Sequence, residues 1–172
     1  MKNKYLSLIP LMLISGVLSA LSSEIDRIFD KAYEVFLPGL IFGVCLGIYF
    51  VFIEKLPFRK FLIWIFASSF IFYLAFRIAF EDTFGRYLIA GALGTLFLTL
   101  VTSGLIKTIE PKKILLIVVL GAIGGIIFKL TIVHPDYTAF WSWQSALLPF
   151  VLWQMFVGVF LGVSAEKNIS TS

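Results

Sequence analysis

The sequence predicts an all-α, polytopic integral membrane protein: a six-transmembrane-helix bundle with a short amphipathic helix at the outer interface after the first span. Three observations predict it. Six apolar stretches, 5–21, 35–53, 61–80, 87–106, 114–133 and 145–163, fill most of the 172 residues, and a hydrocarbon core of about 30 Å needs roughly 20 helical residues to cross it. Apolar residues make up 60% of the chain and charged residues 14%, against about 45–50% and 25% in soluble domains. The charges that remain sort to alternate ends of successive stretches. The connections are between 6 and 13 residues long, too short to bury a core of their own, so the whole chain is a single transmembrane domain.

The first stretch follows Lys2 and Lys4 and ends at Ala20-Leu21-Ser22, which has the form of a secretory signal with a small-residue cleavage site. Ser15, Ser19 and Ser23, with Gly16 and Ala20, recur four apart. That spacing suits a helix packed on a neighbour and favours a retained first span. Ser23-Glu24-Ile25-Asp26 then has capping-box form, and Ile25, Ile28, Phe29, Ala32, Tyr33 and Phe36 recur at helical spacing. This segment is the expected interface helix, with a lid over an external cavity as the alternative.

In the second span Gly39, Gly43 and Gly47 share one face. The fifth span repeats the device with Gly121 and Gly125, the sixth with Gly158 and Gly162, and the third and fourth with Ala75–Ala79 and Ala90–Gly94. In lipid no hydrophobic drive joins one helix to another, and small residues four apart allow the close backbone approach that association needs. These glycines are the expected helix-packing positions, either within the bundle or against a partner helix or a second copy. Cys45, the sole cysteine, excludes an intrachain disulfide and reads as one more small packing residue.

Charge within hydrocarbon is costly and points to function. Arg77 lies 17 residues after Lys60 and Lys129 lies 16 after Lys113, so each has climbed about 25 Å and can snorkel to the outer headgroups. The functional alternative turns both inward. Ser69, Tyr73, Arg77 and Glu81 form a four-residue stripe, and Lys129 continues the Gly121–Gly125 face, which would make a basic pocket below the outer surface for a carboxylate, a phosphate or a lipid headgroup.

The connection with His134, Asp136, Tyr137, Trp141, Trp143 and Gln144 reads as an aromatic interface belt. One histidine excludes a multi-histidine metal site, and a set of His134, Asp136 and Glu81 has no ligand spacing, so neither metal nor cofactor is expected. Gln154, beside Trp153 in the middle of the sixth span, cannot snorkel. It is expected to make an interhelical hydrogen bond of about 0.6 to 2 kcal/mol, or to contact a ligand together with Trp153.

With the N-terminus in the cytoplasm, the inner side carries nine cations against Glu54, Glu110 and Glu166, and the outer side five cations against seven carboxylates. This positive-inside asymmetry places both termini in the cytoplasm and the protein in the cell membrane. The net charge of +4 therefore reports orientation and not nucleic-acid binding. The Asn168-Ile169-Ser170 sequon falls on the cytoplasmic side. Leu37-Pro38 with Glu54-Lys55, and Leu148-Pro149 with Glu166-Lys167, are faint echoes of a duplicated hairpin or inverted repeat.

No serine-nucleophile motif, HExxH, CxxC or phosphate loop occurs, which leaves an intramembrane enzyme the least supported class. The expected function is a solute- or lipid-handling component with an outward-facing pocket formed by Arg77, Lys129, Gln154, Trp153, Tyr73 and Glu81. The alternative is a non-catalytic structural or assembly subunit of a membrane complex. In size and helix count the chain is similar to the substrate-binding subunits of energy-coupling vitamin transporters, without a motif of that family.

Overall fold

The computed structural model describes residues 3–28, 36–79, 83–131 and 143–165. They form six helices: α1 (Asn3–Ile28), α2 (Leu37–Ile53), α3 (Phe58–Ala79), α4 (Phe84–Leu105), α5 (Pro111–Thr131) and α6 (Trp143–Ser164). Four helical stretches, Phe58–Ala79, Phe84–Leu105, Pro111–Thr131 and Ala146–Ser164, are long and apolar enough to cross a membrane, while Leu6–Ser22 and Leu37–Ile53 are shorter apolar helices.

Local chemistry sets the helix ends. Pro38 occupies the first turn of α2, where its missing N–H is no loss. That helix stops where Lys55 adopts φ 57°, which lets the Leu56 N–H reach back to the Phe50 carbonyl at 3.1 Å. At the same end of the bundle Lys60 Nζ donates to the Leu105 carbonyl at 2.8 Å, placing a cation on the open C-terminal carbonyls of α4. Pro111 then opens α5.

The first helix departs from the sequence expectation. It does not stop at Leu21 but runs unbroken to Ile28, because no Gly or Pro lies between Val17 and Phe36 to end it. Ser22 Oγ bonds back to the Ser19 carbonyl at 2.7 Å, a local bond compatible with continued helix. The first part of the expected interface helix is thus the last turns of α1, and residues 29–35 lie outside the described residues.

Contact register shows an up-and-down ring. Gly39 packs on Ser69 and Phe72, and Gly47 on Phe61 and Trp64, so α2 and α3 run antiparallel. Gly125 meets Tyr87 and Gly121 meets Thr95, which pairs α5 with α4 in the same sense. Gly16 meets Val151, Gly158 meets Met12 and Gly162 meets Leu8, so α1 closes the ring against α6. The tightest seam is α4 on α5, where a Cβ on Gly125 would overlap the Tyr87 carbonyl oxygen and one on Gly91 the Gly121 carbonyl. Only glycine tolerates backbone resting on backbone in this way.

The exterior differs from that of a water-soluble protein, and the mainly apolar core also holds polar side chains. Ser15, Ser19, Ser68, Thr95, Thr99, Thr102 and Gln154 are buried, whereas Phe52, Phe58, Phe66 and Leu115 are about 70% exposed at 69%, 70%, 72% and 67%. An apolar exterior of that extent is stable against lipid and not against water. Inside the ring, Phe42 lies 5.5 Å from Trp153 and Phe72 6.0 Å from Trp153, with Phe150 between Phe72 and Phe128 at 5.9 and 5.0 Å. These aromatic contacts fill the centre beside a cleft.

Candidate functional site

Two features of the interior have chemical character. The first is a polar knot where α1, α2 and α6 meet. Gln154, fully buried, accepts a hydrogen bond from Ser15 Oγ and donates from Nε2 to Ser19 Oγ at 2.7 Å. Ser19 Oγ in turn approaches the Pro38 carbonyl at 3.5 Å. The knot joins three helices through groups that satisfy one another. In lipid an unpaired carboxamide is costly, so its role here is cohesion.

The second feature is a cleft of about 70 Å³ between α3, α4, α5 and α6. It occupies the half of the bundle toward Thr83, because its walls come from the C-terminal parts of α3 and α5 and the N-terminal part of α4. Ala75 and Ala79 line one side, Ala90, Gly91 and Gly94 the other, and Phe128 and Trp153 the remainder. Small residues make the space, since Gly94 and Ala75 face each other with nothing larger between them. The lining is almost wholly apolar. Tyr87 forms the rim on α4, and Lys129 Nζ stands 5.7 Å from the centre of the Tyr87 ring. A cation over an aromatic face is attracted by the ring quadrupole.

Trp153 forms the floor. Its Cδ1–Nε1 edge faces α5 at Gly124, next to Gly125 and Phe128 of the cleft wall. The residue is 7% exposed, and its indole N–H has no acceptor among the described residues. Trp64 shows the contrast, donating from Nε1 to the Gly43 carbonyl at 2.9 Å. Buried hydroxyls elsewhere are likewise satisfied: Ser68 donates to Gly39 O at 2.9 Å, and Thr99 and Thr102 each bond the carbonyl four residues back at 2.7 Å. A buried donor without an acceptor costs about 1–3 kcal/mol.

The residues singled out by sequence fall in different places. Trp153 lines the cleft and Lys129 stands at its rim. Gln154 belongs to the knot. Tyr73 stacks on Phe36 at 4.8 Å with the rings 7° apart, and Arg77 is exposed. The stripe Ser69–Tyr73–Arg77 lies about 200° round the helix from Ala75–Ala79, so it turns toward α2 and the exterior and away from the cleft. Glu81 lies outside the described residues, as do His134, Asp136 and Trp141. All seven packing glycines named from sequence are buried, each against another helix of the same chain. Tyr87, Gly91 and Phe128 were not singled out, and Ala90 and Gly94 were named only as a packing pair. Among the described residues no group of three or more His, Cys, Asp and Glu is placed to hold a metal ion. Comparison with protein families, with characterised proteins and with solved structures finds no match to the chain.

Proposed function

We propose that this protein is a multi-pass component of the cell membrane, crossing it six times with both ends cytoplasmic, that handles amphipathic ligands by taking their apolar chain into the cleft. The observation that carries this reading is an apolar slot with a cation at its rim. Lys129 at the rim, with Arg77 exposed at a similar height on α3, supplies attraction for an anionic headgroup, while the walls offer a chain nothing but hydrocarbon. The positive-inside asymmetry turns the Thr83 end, and so the cleft, outward.

Six crossings are supported by register. α1 runs beside α6 from Leu8–Gly162 to Gly16–Val151, and α2 beside α3 from Gly47–Phe61 to Gly39–Phe72. Over these stretches the shorter apolar segments Leu6–Ser22 and Leu37–Ile53 lie alongside helices long enough to cross, which favours six crossings over four. Retention of α1 is supported by the knot, since cleavage would strip Gln154 of both serine partners. The assembly-subunit reading meets an obstacle: a partner helix or second copy docking through the glycine faces would have to displace contacts these glycines already make inside the chain.

Dodecanoate binding to the protein in bilayer nanodiscs tests the proposal. Saturable binding is expected, weakened about fivefold by Lys129→Ala, the effect of losing one cation near an anionic group. Ala90→Leu, which fills the cleft, should abolish it. Absence of saturable binding, or indifference to Ala90→Leu in a folded variant, overturns the reading. Native mass spectrometry of the protein extracted from its membrane should show a co-purified amphiphile.

A further inference from the structure

We infer that the ligand carries, on the chain that enters the cleft, an oxygen acceptor that takes the Trp153 indole N–H. The inference rests on the cleft being the ligand site and names what that site selects. Three observations lead to it. The Trp153 N–H is the buried side-chain donor in this region that no protein acceptor meets among the described residues, while Trp64, Ser68, Thr95, Thr99 and Thr102 all have theirs. Trp153 belongs to the lining of the cleft. Its Cδ1–Nε1 edge packs close to the Gly124 backbone, next to Gly125 of the cleft wall, and the seam supplies that edge with no polar side chain. The neighbouring rings, Phe42 at 5.5 Å and Phe72 at 6.0 Å, offer only the weak acceptance of an aromatic face.

The position of the acceptor follows from the helix. Lys129 lies five residues beyond Gly124, an axial separation of about 7.5 Å, and its own side chain extends the reach toward the headgroup level. A chain anchored by its anionic head at Lys129 thus meets the indole N–H at roughly the sixth to tenth carbon. A ketone, ester or hydroxyl oxygen at that depth would be taken; an unfunctionalised chain would leave the donor bare. A polar group in the middle of a membrane-embedded chain is costly to bury alone, so a site offering a matching donor discriminates strongly by the rule that unmade buried hydrogen bonds carry the specificity.

The test compares 8-oxododecanoate, 4-oxododecanoate and dodecanoate on the full chain in nanodiscs, with the four tryptophan indole N–H resonances followed by ¹H–¹⁵N NMR. The 8-oxo acid is expected to bind roughly threefold to tenfold more tightly than dodecanoate, the gain of one hydrogen bond, and to move the Trp153 N–H resonance downfield. The 4-oxo acid, whose carbonyl stays near the rim, should gain less. Trp153→Phe should bring the affinities for the 8-oxo acid and dodecanoate to the same value, whatever that value is. If that variant does not fold, Phe at Trp64, Trp141 and Trp143 assigns the remaining resonance and the wild-type spectra give the answer. Equal affinity for the 8-oxo acid and dodecanoate, equal gains for the two oxo acids, or an unmoved Trp153 resonance overturns the inference and leaves the apolar-chain site standing. Failure of all three acids to bind overturns both.

Discussion

Gln154 shows how a single polar side chain organises a bundle that hydrophobicity cannot hold together. Its carboxamide links α6 to Ser15 and Ser19 of α1, and Ser19 extends the link to α2. Gln154→Leu should lower stability by about 0.6–1.7 kcal/mol, the measured span of such contacts in membranes, because the freed serine hydroxyls can turn to carbonyls of their own helix. Reversible unfolding in mixed micelles would show it, and combining it with Ser19→Ala should cost less than the sum of the two changes. The sequence reading reached the hydrogen-bonding role of Gln154 from its depth alone, since a carboxamide that cannot snorkel must find a partner. It could not identify the serines, which lie 139 and 135 residues away. Nor could it see that Trp153 meets no acceptor among the described residues, because an orphan donor is defined by what surrounds it.

The glycine seams make the helices sensitive at some positions and indifferent at others. Gly125→Val should prevent α5 from seating on α4, since its side chain would occupy the place of the Tyr87 carbonyl, and the folded monomer should be lost from size-exclusion profiles. Gly85→Ala and Gly104→Ala meet nothing within 4 Å and should leave the profile and melting temperature unchanged. Small residues four apart were legible as packing faces because close approach leaves a mark in composition. The cleft as a cavity was not legible: Ala75–Ala79 and Ala90–Gly94 read only as packing pairs, and Tyr87 and Phe128 are ordinary membrane residues until α3, α4 and α5 are brought together. The stripe Ser69–Tyr73–Arg77 misled by its shared polarity: the face that borders the cleft is the apolar one, Ala75–Ala79. The end of α1 was misjudged for a related reason, since a capping pattern without a following Gly or Pro does not stop a helix that can continue.

Across the molecule, the apolar exterior suits lipid, and the charge asymmetry of the sequence gives the proposed orientation a direct test. With both ends cytoplasmic, a cysteine introduced by Thr83→Cys in a Cys45→Ser background should react with an impermeant maleimide on intact cells. Thr108→Cys should react only after permeabilisation; the opposite pattern would reverse the orientation and turn the cleft inward. The helical class and the count of six helices were readable from the apolar stretches, since length and hydropathy report directly on the solvent. The order of helices around the ring was not, because every stretch is apolar on all sides and carries little phase information.

The closure of α1 on α6 has a consequence for biosynthesis. Helix α1 is made with Ser15 and Ser19 facing a seam whose other half, α6, follows only after four intervening helices, so it must wait in the bilayer while these are inserted. Until α6 arrives the assembly is an open crescent, and its completion is a late, long-range event of the kind that sets slow maturation. A chain interrupted before Gln154 would therefore present quality-control proteases with an unfinished circle, however well its earlier hairpins had formed.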